Sequence, residues 1–216
     1  MNKRIIKIAC DLDGVLSNWS KRFSEVARIV FGEHLPLVED ESQIKAWDWT
    51  KWYPLTKKEI SVVWDEVDKI PKFWETLEVL NEDDFKSLVD FTNKYENEVV
   101  IYFITNRHET PGKNTHLQTV NWLKKNGIEN PQVIVIRDKA SVIKDLNINY
   151  FIDDNADNIK DVLVQINVMV NMQTVVFLKK ALYNDRRYDD CRNRLIKVDK
   201  VSEMLNYIIK KEKLNE

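Results

Sequence analysis

The sequence DLDGV at Asp11–Val15 follows directly on the apolar run Ile5–Cys10. Such a run is typical of a buried β-strand, and the glycine after it is typical of a sharp turn. Residues i and i+2 of a strand point to the same side, so we expect Asp11 and Asp13 to face one pocket at the strand's carboxyl end. By itself the stretch also fits an ordinary strand-ending turn, since Asp and Gly are common in turns.

Two carboxylates at this spacing are suited to phosphoryl transfer. Close carboxylates repel each other, and a bound Mg²⁺ removes most of that repulsion. Asp11 could then attack phosphorus while Asp13 protonates the leaving oxygen. Gly14 would permit the backbone turn between them and the next element.

Beyond this stretch, apolar runs alternate with amphipathic segments, which predicts an α/β fold. Continuous apolar runs such as VVIYFIT indicate strands buried on both faces. We therefore predict a Rossmann-like parallel sheet flanked by helices. The predicted strands are Arg4–Cys10, Val99–Thr105, Val133–Ile136, Tyr150–Ile152 and Thr174–Leu178. The predicted helices are Ser17–Phe31, Asp83–Tyr95, Asn114–Lys125, Lys139–Leu146, Asn155–Ile166 and Val201–Lys211.

The segment from Gly32 to about Glu82 departs from this alternation. It is rich in charge and holds five of the seven tryptophans. We predict that residues 1–31 and 83–216 form the catalytic core and that residues 32–82 form an inserted helical cap. The cap would cover the sheet edge at which ligands of open α/β sheets bind.

Composition excludes several classes of protein. The 216 residues fit one domain with an insertion, and the net charge of −2 argues against an extended nucleic-acid-binding surface. Cys10 and Cys191 form no zinc or disulfide pattern, and no signal peptide or membrane span is evident. We expect a cytoplasmic protein, and the sequence is compatible with a homodimer. The charged stretch Asn184–Arg194 is expected to be solvated.

Polar residues also follow the second predicted strand, in the sequence FITNR at Phe103–Arg107. The Thr105 hydroxyl and the Asn106 backbone amide could donate hydrogen bonds to a phosphoryl group. Arg107 could supply a planar cationic clamp for it. The alternative is an ordinary polar loop after a strand.

Two further signals lie later in the chain. Asp153 and Asp154 end an apolar strand, where buried acids are costly unless they are paired or bind a cation. One of them could complete a Mg²⁺ site with Asp11, although Asp154 could instead cap the following helix. A lysine would neutralise the phosphoryl group, and we favour Lys139 over Lys144 because it lies in the loop at the same edge.

In order, DLDGV, Thr105, Lys139 and the Asp153-Asp154 pair resemble the four motifs of the haloacid dehalogenase (HAD) superfamily of phosphotransferases. The resemblance runs from about residue 4 to about residue 178. It implies a Mg²⁺-dependent phosphomonoesterase in which a nucleophilic Asp11 forms an aspartyl-phosphate and Asp13 is the general acid/base.

The same resemblance implies roles for the other motif residues. Thr105 would bind the transferring phosphate and Lys139 would stabilise it. Mg²⁺ would be held by Asp11, the carbonyl of Asp13 and an acid of the Asp153/Asp154 pair. The insertion would be a C1-type cap, which shapes substrate choice in this superfamily.

Within the superfamily the chain is most similar to the 5′(3′)-deoxyribonucleotidases, on FWETL at Phe73–Leu77, RDK at Arg137–Lys139 and IDDN at 152–155. This resemblance implies a 5′-nucleotidase acting on nucleoside monophosphates. A TNR second motif also occurs in polynucleotide-end phosphatases, which are one alternative. A non-catalytic binding module on the same fold is another.

Aromatic residues of the segment 32–82 are candidates for stacking on a nucleobase, which is worth roughly 1–3 kcal/mol per base. The alternative is that a small helical cap needs them for its own core. We expect one or two to face the substrate. The candidates are Trp47, Phe73 and Trp74, together with Trp49 and Trp52.

Overall fold

A computed structural model of the chain describes residues 4–168, 173–184 and 195–214. The strands are β1 (Ile6–Cys10), β2 (Val99–Thr105), β3 (Gln132–Val135), β4 (Tyr150–Asp153), β5 (Val175–Lys179) and β6 (Leu195–Val198). The α-helices are α1 (Trp19–Phe31), α2 (Lys57–Val67), α3 (Glu82–Lys94), α4 (Thr115–Lys125), α5 (Lys139–Asp145), α6 (Ala156–Val168) and α7 (Val201–Glu212). Cys191 and most of the stretch Asn184–Arg194 lie outside the described residues.

The strands form one parallel sheet in the order β3-β2-β1-β4-β5-β6. Strands β2 and β3 lie on one side of β1, and β4, β5 and β6 lie on the other. The direction in which strands are added therefore reverses between β1 and β4. In an open α/β sheet a ligand crevice opens at such a reversal, beyond the carboxyl ends of the strands. The predicted α/β, Rossmann-like fold is confirmed.

Both faces of the central strands are covered, which explains their continuous apolar sequences. Successive side chains of β1 alternate between two buried clusters. Ile8 and Cys10 pack in the cluster that includes α3 and α7, whereas Ala9 packs in the cluster that includes α6. The core therefore consists of two layers separated by the sheet.

The sequence does not predict β6. Among the described residues this strand pairs only with β5, and its first three residues are only partly buried. A half-exposed strand of four residues that includes Lys197 lacks the apolar run by which the other strands are recognised.

The segment between α1 and α3 contains α2 and three short 3-10 turns, at Glu41–Gln43, Trp49–Lys51 and Phe73–Glu75. Aromatic rings join it to the core: Trp64 of α2 stacks on Trp19 of α1, with centroids 6.0 Å apart, and Trp49 packs edge-on against Phe23. The division into core and cap stays a prediction.

No helix within the described ranges combines the length and apolar character that crossing a bilayer requires.

The helices α3 and α7 are joined by a buried carboxylate, Asp84, which is 5% exposed. It accepts hydrogen bonds from the backbone amides of Val201 and Ser202, each at 2.7 Å. An acid here satisfies two unpaired donors at the start of α7 and complements the helix dipole.

We predict that Asp84→Ala lowers the free energy of unfolding by roughly 2–4 kcal/mol, because two buried amides lose charge-assisted partners. Urea denaturation followed by circular dichroism measures it. The control is Asp83→Ala, an exposed acid in the same helical turn, for which the loss should stay within about 0.5 kcal/mol. Similar losses of unfolding free energy in the two variants would show that the Asp84 carboxylate does not stabilise the start of α7.

Candidate active site

The sheet brings residues from three parts of the chain to one edge. β1 lies between β2 and β4, with Cys10 opposite both Phe103 and Ile152. The residues that continue these strands therefore meet: Asp11 after β1, Thr105 at the end of β2 and Asp153 at the end of β4. Asp11 is fixed there because its amide donates to the Ile152 carbonyl at 3.0 Å.

Lys139 joins two of these acids. It is the first residue of α5, and its Nζ lies 2.7 Å from Asp11 Oδ1 and 2.7 Å from Asp153 Oδ2. All three residues are buried, with exposed fractions of 4%, 6% and 0%. Lys144, the alternative, lies in the last turn of α5 and is exposed.

The acids and the lysine control each other's ionisation. Burial raises the pKa of Asp11 well above its usual value; Lys139 opposes this rise, whereas the neighbouring carboxylates add to it. Burial alone would lower the pKa of Lys139, but the charges of Asp11 and Asp153 outweigh burial and raise it. Lys139 is therefore a permanent cation beside the Asp11 carboxylate.

A third buried acid lies next to this pair. Asp11, Asp153 and Asp154 each offer a carboxylate oxygen, and these atoms lie within 4.8 Å of one another. Asp153 also accepts from the Asn155 amide at 2.7 Å, and Asp154 accepts from the Tyr183 hydroxyl. The three carboxylates offer only oxygen ligands, and Lys139 is a single positive charge beside them. Such a donor set fits a hard divalent cation such as Mg²⁺.

Gly14 makes room for this cluster. Its φ is +86°, and a Cβ at this position would overlap the Asp154 carboxylate. The glycine of DLDGV therefore serves two purposes. It adopts a positive φ, and it lets the Asp154 carboxylate approach the backbone closely.

Asp13 has different partners from Asp11. Arg107 donates to it from Nε, at 2.9 Å to Oδ2, and from Nη2, at 2.7 Å to Oδ1. Ser17 donates a further bond at 2.7 Å, and the Thr105 hydroxyl lies at 3.4 Å. Although burial opposes ionisation, the charge and hydrogen bonds of Arg107, together with Ser17, lower the pKa of Asp13. Asp13 is thus held as a carboxylate.

The guanidinium of Arg107 is fully committed within the protein. Its side chain is 0% exposed, Nη1 donates to Thr119 at 3.2 Å, and the group lies over the Trp74 ring at 4.9 Å from the centroid. The sequence predicts a cationic clamp on the phosphoryl group, whereas the structure directs Arg107 at Asp13. Sequence reasoning missed this pairing because it joins residues 94 positions apart.

A cavity of about 230 Å³ opens above these residues. Asp11, Asp13, Thr105 and Lys139 line its floor. Asn106 and Arg107 of the loop after β2 also line it, as do Trp47 and Trp74 of the segment 32–82. Trp47 is 48% exposed, which leaves its ring accessible to a ligand.

Phe73 is not brought to this cavity. It is 1% exposed and packs edge-on against Trp74, with centroids 5.0 Å apart. Trp49 and Trp52 also pack in the apolar core rather than along the cavity. For these three side chains the alternative interpretation holds, in which the segment needs aromatic residues for its own packing.

Sequence reasoning missed several lining residues. Trp19 and Trp64 come from α1 and α2, Asn155 immediately precedes α6, and Asn158 lies in its first turn. The ring of Trp64 lies beside Trp19 and His108. Which face of α2 is turned toward the cavity depends on tertiary packing. Asn158 does carry a local signal, because it is a polar residue five positions after Asp153; it lies in the first turn of α6 and donates to Asp153 at 3.0 Å.

Residues 4–201 match the family model for "5′ nucleotidase, deoxy (pyrimidine), cytosolic type C protein". The chain belongs to this family. It is therefore a phosphatase, and its predicted membership of the HAD superfamily is confirmed. A comparison with curated proteins found no match.

Solved structures show the same fold. A protein assigned as a β-phosphoglucomutase from Thermotoga maritima has a TM-score of 0.54 and 15% identity, over 95% of this chain and 99% of that one. A HAD-superfamily hydrolase of subfamily IA, variant 1, from Geobacter sulfurreducens has a TM-score of 0.51 and 11% identity, over 94% and 96%. At such identities the likeness concerns the fold alone.

We predict that Gly14→Ala destabilises the protein by at least about 1 kcal/mol more than Gly127→Ala does. Both glycines have positive φ, +86° and +101°, so both substitutions incur a backbone strain of roughly 1–2 kcal/mol. At Gly127 the new Cβ would lie 3.4 Å from Val89, an ordinary contact, whereas at Gly14 it meets Asp154. Chemical denaturation measures both, and equal losses would refute the clash.

We predict that Lys139→Met lowers the free energy of unfolding by roughly 3–5 kcal/mol, because Asp11 and Asp153 lose their buried cation. Lys144→Met is the matched control and should change it by less than about 0.5 kcal/mol. The measurement is urea denaturation of the metal-free proteins at neutral pH. If the two variants were equally stable, Lys139 would not be the lysine that balances this cluster.

Proposed function

We propose that this protein is a Mg²⁺-dependent 5′-nucleotidase that hydrolyses nucleoside monophosphates, with deoxyribonucleotides as the preferred class. The observation that carries the proposal is the buried contact of Lys139 with Asp11 at the base of an aromatic-lined cavity. The family match supports the nucleotide class, since its description names deoxy 5′-nucleotidases. That description also includes the word cytosolic, and we propose the cytoplasm as the location.

In the first step, an Asp11 carboxylate oxygen forms a bond to phosphorus and the bond from phosphorus to the nucleoside oxygen breaks. The product is an aspartyl-phosphate, and the nucleoside leaves with the bonding electron pair. Lys139 offsets the negative charge on the attacking carboxylate and on the phosphoryl oxygens. The Thr105 hydroxyl and the Asn106 amide donate hydrogen bonds to those oxygens.

In the second step, water attacks the aspartyl-phosphate, and Asp13 takes the proton that the water loses. An Asp13 that Arg107 and Ser17 hold ionised is suited to this base role. The leaving nucleoside oxygen of the first step needs a proton, and Asp13 donates to it, as general acid, the proton that Asp13 took from water in the preceding turnover. Covalent catalysis thus divides one displacement into two steps that share the same carboxylate.

The residues that would hold Mg²⁺ are Asp11, Asp153 and Asp154, with the main-chain carbonyl of Asp13. The ion would supply positive charge against the carboxylates and the phosphate. Residues 32–82 would act as the cap that closes over the bound nucleotide, with Trp47 and Trp74 beside the base.

The test is a panel of substrates assayed with Mg²⁺ and with chelator: nucleoside monophosphates, sugar phosphates and oligonucleotides with a terminal phosphate. We expect wild-type protein to hydrolyse nucleoside monophosphates only when Mg²⁺ is present. Asp11→Asn should lose at least about 1000-fold of this activity and form no covalent phosphoprotein.

Asp157→Asn is the matched control, since Asp157 is an exposed acid in the first turn of α6. It should retain wild-type activity. Equal activity of Asp11→Asn and wild type would remove Asp11 as the nucleophile. Hydrolysis of oligonucleotide ends but not of mononucleotides would select the polynucleotide-end phosphatase, and hydrolysis of no substrate would select the non-catalytic module.

We predict that Trp47→Ala raises KM for nucleoside monophosphates roughly 5- to 100-fold with kcat little changed, because base stacking stabilises substrate and transition state equally. Steady-state kinetics measures this. Trp47→Phe is the control, because it keeps an aromatic ring and should keep most of the affinity. A fall in kcat without a rise in KM would exclude a stacking role.

A further inference from the structure

A second cavity, of about 430 Å³, shares no lining residue with the candidate active site among the described parts of the chain. Its volume falls within the roughly 300–1,000 Å³ that is usual for small-molecule sites. Much of its wall is apolar, formed by Val15, Leu16, Leu80, Phe85, Ala181 and Leu182. Leu182 is 60% exposed, so its side chain leaves an apolar surface that a bound molecule would cover.

One buried cation lies on this wall. Lys179, the last residue of β5, is nine-tenths buried. Within the described residues, its Nζ makes no hydrogen bond and no ion pair. The Nζ atom is not fully enclosed, so it retains contact with solvent. A largely buried ammonium that no described protein group contacts loses part of its hydration, and an anion in the cavity would offset that loss.

The acids along the same wall already have partners. Asp84 accepts from two amides at the start of α7, as described above. Asp199 pairs with Lys180 at 2.8 Å. Asp40, an exposed residue, accepts from the Ser42 amide at 2.7 Å. The cavity therefore presents a positive charge at Lys179, surrounded by acids that are engaged elsewhere.

We propose that this cavity binds a small organic anion in which one carboxylate, sulfonate or phosphate group is joined to an apolar body. Lys179 contacts the anionic group, and the apolar wall covers the body. The site is independent of the nucleotidase proposal. It is nevertheless next to the turn of the candidate active site, because Val15 and Leu16 directly follow the segment Asp11–Gly14 and the Leu16 carbonyl accepts from the Leu80 amide at 2.8 Å.

The probe for this proposal is 1-anilinonaphthalene-8-sulfonate, which combines an anionic group with fused apolar rings and fluoresces more strongly in apolar surroundings. Titration of the full chain should give saturable binding of one molecule. Lys179→Met should weaken it at least about tenfold, because a charge-assisted contact is lost while side-chain length is kept.

Two controls locate the probe. Lys144→Met removes an exposed lysine and should leave the affinity unchanged, as should Trp47→Ala in the other cavity. Binding that weakens in Trp47→Ala but not in Lys179→Met would place the probe in the active site and overturn the proposal. Absence of saturable binding to wild type would overturn it as well.

A second pair of variants tests the charge without altering a buried residue. Leu182→Glu and Leu182→Gln have nearly equal size at an exposed position and differ by one negative charge. Leu182→Glu should bind the sulfonate roughly threefold or more weakly than Leu182→Gln, because it repels the anion. Equal affinity of the two would show that the bound molecule is not held near Lys179.

Discussion

The site depends on one buried ammonium group. Lys139 lies between Asp11 and Asp153, and the two strand ends that carry the acids, those of β1 and β4, could not otherwise place carboxylates so close together inside the protein. The first turn of α5 fixes the lysine, and β1 and β4 fix the acids. The candidate site is therefore built at the centre of the sheet, where the backbone is most constrained, and residues around its entrance come from loops, helices and the segment 32–82.

The two aspartates of DLDGV have been given opposite environments. Asp11 contacts a lysine and buried carboxylates, and its pKa is raised, whereas Asp13 is paired with a guanidinium and its pKa is lowered. Two groups of the same type, two residues apart, thereby differ in their readiness to carry a proton. Burial raises the pKa of Asp11 and Arg107 lowers that of Asp13, and the position of Arg107 depends on Thr119 of α4 and on the ring of Trp74.

The strands and the acids at their ends could be predicted from sequence because each leaves a local signal. β2 is a run of apolar residues that ends in Thr105, and β4 ends in two adjacent acids. The edge strand β6 lacks such a run. The partner of Arg107 and the burial of Phe73 were beyond prediction, because both depend on which surfaces meet after the chain has folded. Composition could predict that aromatic residues lie near the cavity. It could not predict that Trp47 lines the cavity while Trp49 is buried in the core.

The ring of indoles around the cavity has an optical consequence. Four of the seven tryptophans, Trp19, Trp47, Trp64 and Trp74, line it, while Trp122 is fully buried. Indole emission shifts to shorter wavelength when water is displaced and is quenched by stacked bases. Trp47, half exposed at the entrance, is the ring whose surroundings we expect to change most on occupancy. The protein therefore carries an intrinsic fluorescent reporter of its candidate active site, against a background from Trp49, Trp52 and Trp122.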